Sequence, residues 1–370
     1  MRKVWMAADS IVSPLGFDSK GNYENVRSGK TGIFQVENTS LSQSPFYASK
    51  LLGISTIPGM TMLEAITCQA IEAIFDKVNP PADRTLFILS TTKGNISFLE
   101  TGQKDHPRID LHALAAFIGS KFGLNRNMVI SNACISGVMS LIVGKRMIES
   151  GSVDHVLVAG VDVLSKFIIS GFQSLQALSP EPCRPFDAER KGINLGECAS
   201  AILITAEPAL LNISPVVQLA GGGLSNDANH ISGPSRTGEE LAFAIQQALG
   251  EAGTKASDID MISAHGTATL YNDEMEAKAF TIHGMNTVPV NSLKGYYGHT
   301  LGAAGILEVA LSAEALKRDE LLPSLGFGSL GVSQPLSVIK TLERRPLKTV
   351  LKTASGFGGC NAAIILRKEN

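Results

Sequence analysis

With 370 residues, 44% of them apolar and only 18% charged, the chain can build one large α/β unit or two fused halves with extensive cores. A net charge of -2 provides no general basic field for nucleic acid, and five cysteines, an odd number without Cys-x-x-Cys spacing, argue against a disulfide framework and fit a reducing cytoplasm. The sequence holds no His-Glu-x-x-His and no apolar run near roughly 18 residues, and Met1–Asp9 is too short in apolar residues for a secretory signal; no metal site, membrane span or export is expected.

In chain order, Ser28-Gly29-Lys30-Thr31 imitates the end of a phosphate-binding loop. Glu24 stands where that loop needs glycine, so the segment reads as a polar turn after a helix. A helical pattern covers 61–77, an apolar strand 86–90, a helix 111–122, a strand 128–131 and a helix 136–149. Strands at 156–160 and 200–205 follow, then a helix at 239–252, a strand at 260–263, helices at 273–283 and 304–317, and a last strand at 362–366. Such alternation predicts parallel-rich sheets covered by helices, an α/β class. Residues 210–215 are the expected join, dividing the chain into 1–210 and 211–370. Gly221-Gly222-Gly223 lies just beyond it without the spacing of a dinucleotide fingerprint.

Three residues within this pattern point to chemistry. Val129-Ile130-Ser131-Asn132-Ala133-Cys134 ends a β-branched run and precedes a helix, which sets one thiol at a strand-to-helix turn. A helix N-terminus lowers a thiol pKa from about 8.5 toward 7 or below, so Cys134 is a candidate nucleophile. His265 in Ile262-Ser263-Ala264-His265-Gly266-Thr267-Ala268-Thr269 and His299 in Lys294-Gly295-Tyr296-Tyr297-Gly298-His299-Thr300 both sit among small residues before helical segments. Glycine beside each allows close approach of backbone or substrate.

Together these segments resemble the elongating, Cys-His-His type of β-ketoacyl-[acyl-carrier-protein] synthase. Further motifs carry the likeness in family order from about residue 4 to residue 368: Gly171-Phe172, Ala177-Leu178-Ser179, Arg184-Pro185-Phe186-Asp187, Gly196-Glu197-Cys198-Ala199, Ser225-Asn226-Asp227-Ala228 with His230, and Gly356-Phe357-Gly358-Gly359-Cys360-Asn361. The resemblance implies a thiolase-like five-layer αβαβα fold of two similar halves, with Cys134 in the first and both histidines in the second. It implies a decarboxylative condensation between an acyl group held on Cys134 and a malonyl group on acyl carrier protein, in fatty acid or polyketide and polyene synthesis. His265 and His299 would serve the malonyl decarboxylation, with Lys294 and Glu308 as a buried pair beside them. The amides of Cys134 and Phe357 would form the oxyanion hole, with Phe357 also the gate between acyl and malonyl positions. Thr267, Thr269 and Phe172 would contact the substrate arm. No cofactor is implied, because phosphopantetheine belongs to the carrier. A cytoplasmic homodimer is the expectation; a heterodimer with a ketosynthase-like partner is the other arrangement, and a non-catalytic, chain-length-factor-like subunit is the alternative function.

Four positions depart from the family pattern: Ile135 replaces a small residue, Leu270 a proline, Ser355 an aromatic and Cys360 a threonine. Cys360 reads as packing, like Cys68, Cys183 and Cys198. The stretch 91–128 is also shorter than in relatives, where it helps shape the acyl tunnel and dimer interface.

Overall fold

The computed structural model describes residues 2–54, 57–211, 214–228 and 233–369. His230 and the middle of the expected join lie outside them. In the first half the strands are β1 (Trp5–Val12), β2 (Thr85–Ser90), β3 (Asn127–Ile130), β4 (His155–Asp162) and β5 (Cys198–Thr205). In the second they are β6 (Val216–Asn226), β7 (Met261–Ser263), β8 (Pro289–Asn291), β9 (Thr349–Gly356) and β10 (Cys360–Glu369).

Both halves have one strand order. The first runs β3-β2-β4-β5-β1, and the second runs β8-β7-β9-β10-β6 with a short edge at Ser337–Val338. Counted within each half, that is 3-2-4-5-1 twice. The directions repeat as well: the β2 pairings are parallel and those of β5 antiparallel, as are the corresponding pairings of β7 and β10. Trp5 opposite Gln218 and Met6 opposite Val217 join the halves edge to edge.

Helices occupy both faces and the space between. Alternation along β4 sends Val156 and Val158 into a central core and Leu157 and Ala159 outward. The outer side of the first half is covered by α1 (Met62–Phe75) and α2 (Leu111–Ser120). Between the sheets lie α3 (Ser136–Glu149) and α6 (Ala304–Arg318), whose Leu141, Ile142, Ile306 and Leu307 share the central core with the inner faces of both halves. The other outer layer is α4 (Glu239–Ala252) and α5 (Leu270–Ile282). This is the five-layer αβαβα arrangement.

Local chemistry explains the boundaries. Thr61 and Glu64 form a reciprocal capping box at the start of α1, and Asp110 accepts the Ala113 amide to start α2. Gly223 in β6 permits α4 to lie directly on the strand, since a Cβ there would run into the Ala244 carbonyl. The triple glycine is thus a contact surface for a helix. Among the described residues no helix is long and apolar enough to cross a membrane.

Candidate active site

β3 ends and the chain turns through Ala133, whose φ of +43° is a left-handed conformation uncommon outside glycine. The Asn132 amide donates to Ser136 Oγ at 2.8 Å, which closes the turn and delivers Cys134 to the N-terminal end of α3. Cys134 is 8% exposed, and the Phe357 backbone beside it favours the charged sulfur. Burial, reinforced by Cys360 and offset by Lys294, pushes the thiol up to about 12. The expected lowering therefore does not describe the resting thiol: desolvation outweighs the helix terminus, so the proton must leave during attack.

His265 follows β7, on a turn held from beneath by two carboxylates of α5. Glu276 accepts the amides of His265 at 2.8 Å and Gly266 at 2.7 Å, and also the Thr353 hydroxyl and Asn272 amide. Asp273 accepts the amides of Thr267 at 3.0 Å and Phe186 at 2.7 Å. Burial raises both acids, Asp273 to about 7.

His299 is stitched into the first half. Its amide donates to the Asn194 carbonyl at 2.7 Å, and its carbonyl accepts the Gly196 amide at 3.0 Å. Leu301, at a φ of +52°, turns its amide back onto His299 Nδ1 at 3.3 Å. With Nδ1 accepting, the proton resides on Nε2, which is buried and has no hydrogen-bond partner. A Cβ at Gly196 would collide with the Tyr297 carbonyl just before His299. Gly196→Ala is therefore expected to cost about 1–3 kcal/mol of stability in urea unfolding; an unchanged midpoint would show that this segment moves aside freely.

The structure thus brings Cys134, His265 and His299 together, with one donor atom from each within 4.8 Å of the others. The imidazole centroids are 5.0 Å apart with planes at 83°. Burial, then Lys294, holds both rings well below the ordinary imidazole value, so they are neutral; His299 and Lys352 lower His265 further, and Lys352 also lowers His299. Lys294 and Glu308 form a fully buried ion pair. Sequence reasoning missed Lys352, on β9, which reaches the other Glu308 oxygen at 2.7 Å. A lone charge amid Val350, Leu351 and Ala354 was the available signal. Asp162, also missed, ties Thr91, Thr92 and Lys93 to the Gly302 amide behind the site. The trio's donors are spaced closely enough for a metal, but two lysines beside them favour an anion.

A cleft of about 510 Å³ opens above the trio, lined by Phe172, Thr267, Thr269 and Phe357 among others. The Thr267 and Thr269 hydroxyls lie 2.8 Å apart, and Phe172 stacks on Phe357 at 5.6 Å. Leu270 and Tyr271, 60% and 77% exposed, stand at the mouth. Ser355 lines the cleft and donates to Asn361 at 2.8 Å, which ties the glycine turn.

Family models for the β-ketoacyl synthase N-terminal and C-terminal domains match residues 99–209 and 216–328. The chain is 33% identical over 256 residues to 3-oxoacyl-[acyl-carrier-protein] synthase 2 of Rhizobium meliloti (strain 1021), covering 65% of this chain and 61%, under two thirds, of that protein. It is 31% identical over 296 residues to nodulation protein E of the same organism, covering 78% and 71%. Among solved structures, the ishigamide ketosynthase/chain length factor superposes with a TM-score of 0.90 at 26% identity over the full length of both chains.

Proposed function

The chain belongs to the β-ketoacyl synthase family, and on that premise we propose that it condenses an acyl thioester with malonyl-acyl carrier protein to give a β-ketoacyl-acyl carrier protein. The observation that carries this reading is the convergence of one thiol and two neutral imidazoles beneath a cleft. Acyl transfer forms a thioester on Cys134 and releases the carrier thiol, splitting one hard reaction into two easier ones. His265, whose Nδ1 has no hydrogen-bond partner and whose tautomer is therefore not fixed by one, takes the proton of the raised Cys134 thiol. The malonyl group then loses CO2, and the electron pair of the broken C–C bond becomes an enolate on the thioester oxygen. His299 offers its Nε2–H to that oxygen, and His265 assists. The enolate carbon attacks the acyl carbonyl, whose oxygen is received by the Cys134 and Phe357 amides, and collapse expels the Cys134 sulfur, which takes up one proton from solvent to restore the resting thiol.

Thr267, Thr269 and Phe172 are assigned to the arm of the incoming carrier, which brings its own phosphopantetheine; the chain itself takes no cofactor in this scheme. A second subunit, either another copy or a ketosynthase-like partner, is assigned to the edge of β3, which ends the sheet unpaired among the described residues. Five free, buried cysteines fit a cytoplasmic setting.

Intact-protein mass spectrometry after incubation with a panel of acyl-carrier proteins tests the reading. A mass gain on Cys134 is the expected result, and the preferred acyl group identifies the pathway. Folded protein that accepts no acyl group would favour a non-catalytic partner subunit.

A further inference from the structure

Lys352 is fully buried on β9, opposite Ser263 of β7 in the parallel pairing. Its ammonium donates to the carbonyls of Ser263 at 3.2 Å and Ala264 at 3.1 Å, the two residues that lead into His265. The same ammonium is paired with Glu308, whose other oxygen holds Lys294. The interior behind the site therefore contains a Lys–Glu–Lys chain that is net positive while both lysines are protonated; burial lowers Lys352, and Glu308 opposes that lowering. One end supports the backbone before His265, and the other lies on the segment that carries His299.

We propose that Lys352 is a positioning residue for the condensation: it pins the Ser263–Ala264 carbonyls that aim His265 and completes, through Glu308 and Lys294, a positively charged wall behind both imidazoles. The proposal deepens the condensing-enzyme reading and rests on it. Only the pairing of Lys294 with Glu308 is needed to neutralise Glu308. A second lysine on the remaining oxygen makes the cluster cationic, and in a dry interior that charge reaches both rings with little screening. Its consequence is to oppose protonation of the histidines. This matters because a protonated His299 would present Nδ1–H to the Leu301 amide, donor against donor, and a protonated His265 could not receive the thiol proton.

The charged and titratable groups facing the two rings come from every element around them. Lys294 and Glu308 belong to the second half's central segments, Glu276 and Asp273 to α5, and Lys352 to β9. Cys134 faces them from α3's N-terminal turn and Cys360 lies beside it; Asp162 stands behind Gly302. Glu276 and Asp273 are spent on backbone amides, and burial favours their neutral forms. Besides Lys294, Lys352 is the lysine that lowers both rings.

The test compares wild type with Lys352→Met, which keeps the volume, leaves Glu308 paired to Lys294 and removes the charge. Malonyl-carrier decarboxylation and acylation of Cys134 are each followed from about pH 9 down to the lowest pH at which both proteins stay folded, because both rings lie well below the ordinary imidazole value. Loss of a neighbouring positive charge lets the rings protonate at higher pH. The acid limb of decarboxylation should therefore move up by about one unit, so that the variant loses roughly tenfold more activity at the acid end than at the alkaline end. Lys352→Arg, which keeps the charge, should return the limb toward wild type. An acid limb unmoved in Lys352→Met, whether its rate is uniformly lower or unchanged, overturns the proposal. Should that variant fail to fold, ring-nitrogen NMR of the histidines in wild type and Lys352→Gln decides. Rings that protonate at higher pH in Lys352→Gln support the charged wall, and identical titration in the two proteins overturns it. That spectrum needs no turnover, so it is read even if no acyl donor is ever found, and failure of the condensing-enzyme reading is seen separately as an absent Cys134 adduct in wild type.

Discussion

Cys134→Ala should reduce condensation by roughly four orders of magnitude or more, the scale on which loss of a covalent nucleophile is felt in enzymes that work through one. The variant should remain folded. Cys134 occupies a turn whose geometry is set by the Asn132 amide on Ser136 and by Ala133, and alanine fits the same small space. The change removes one sulfur from a site that already abuts a cleft, so little cavity cost accrues. The measurement is intact mass after exposure to acyl carriers, with thermal unfolding alongside: wild type gains the acyl mass and the variant gains none. Acyl transfer that persists on the folded variant would sink the assignment of Cys134 and turn attention to Cys360, the thiol next to it. A second readout follows from the raised thiol. Because Cys134 is neutral at rest with a value near 12, labelling by iodoacetamide should be slow at neutral pH and accelerate as pH rises, the reverse of a preformed thiolate.

His299→Ala should separate two half-reactions. Of the two imidazoles at the site, His299 is the one whose tautomer is held by a backbone amide, Leu301 on Nδ1. Removing one such preorganised donor from an oxyanion typically costs about 10²–10³ in rate. Decarboxylation of the malonyl carrier should fall by that factor, while acylation of Cys134, for which His265 is the proposed proton acceptor, should fall far less. Equal losses in both steps would show that His299 does not act at the enolate. The backbone at this position is independent of the side chain, since its amide and carbonyl are bound to Asn194 and Gly196, so the alanine variant retains the local path of the chain.

Much of this site was readable in the sequence because reactive residues here are flanked by small ones at strand ends, a pattern that survives without coordinates. Cys134, His265 and His299 were each placed by that logic, and the helices at 111, 136, 239 and 304 begin where their apolar periodicity begins. The strands that escaped notice share a physical trait. β1 carries Asp9 and Ser10, β6 carries three glycines, and β9 carries Lys352 and Thr353, so none shows the unbroken apolar run of a buried strand. The later irregular residues are explained by tertiary partners: Gly223 receives α4, Lys352 meets Glu308 and Thr353 donates to Glu276. Pairing with residues tens of positions away is invisible to a local reading. The state of the Cys134 thiol was misjudged for a similar reason, since a helix terminus can be read from sequence and the depth of burial cannot.

The repeated 3-2-4-5-1 order has a meaning beyond architecture. In the first half the chain leaves its third strand, β3, and passes Cys134 before entering the central helix α3; in the second it leaves β8, its own third strand, and passes His299 before entering α6. The residue proposed to carry the acyl group and the residue proposed to stabilise the enolate thus occupy the same structural address, used once by each half. The chain is in effect two like folds joined in one polypeptide, with a thiol at this address in one and an imidazole in the other. A break in the chain between the halves should accordingly be tolerated as long as they stay associated, whereas neither half expressed alone possesses more than a fragment of a reaction.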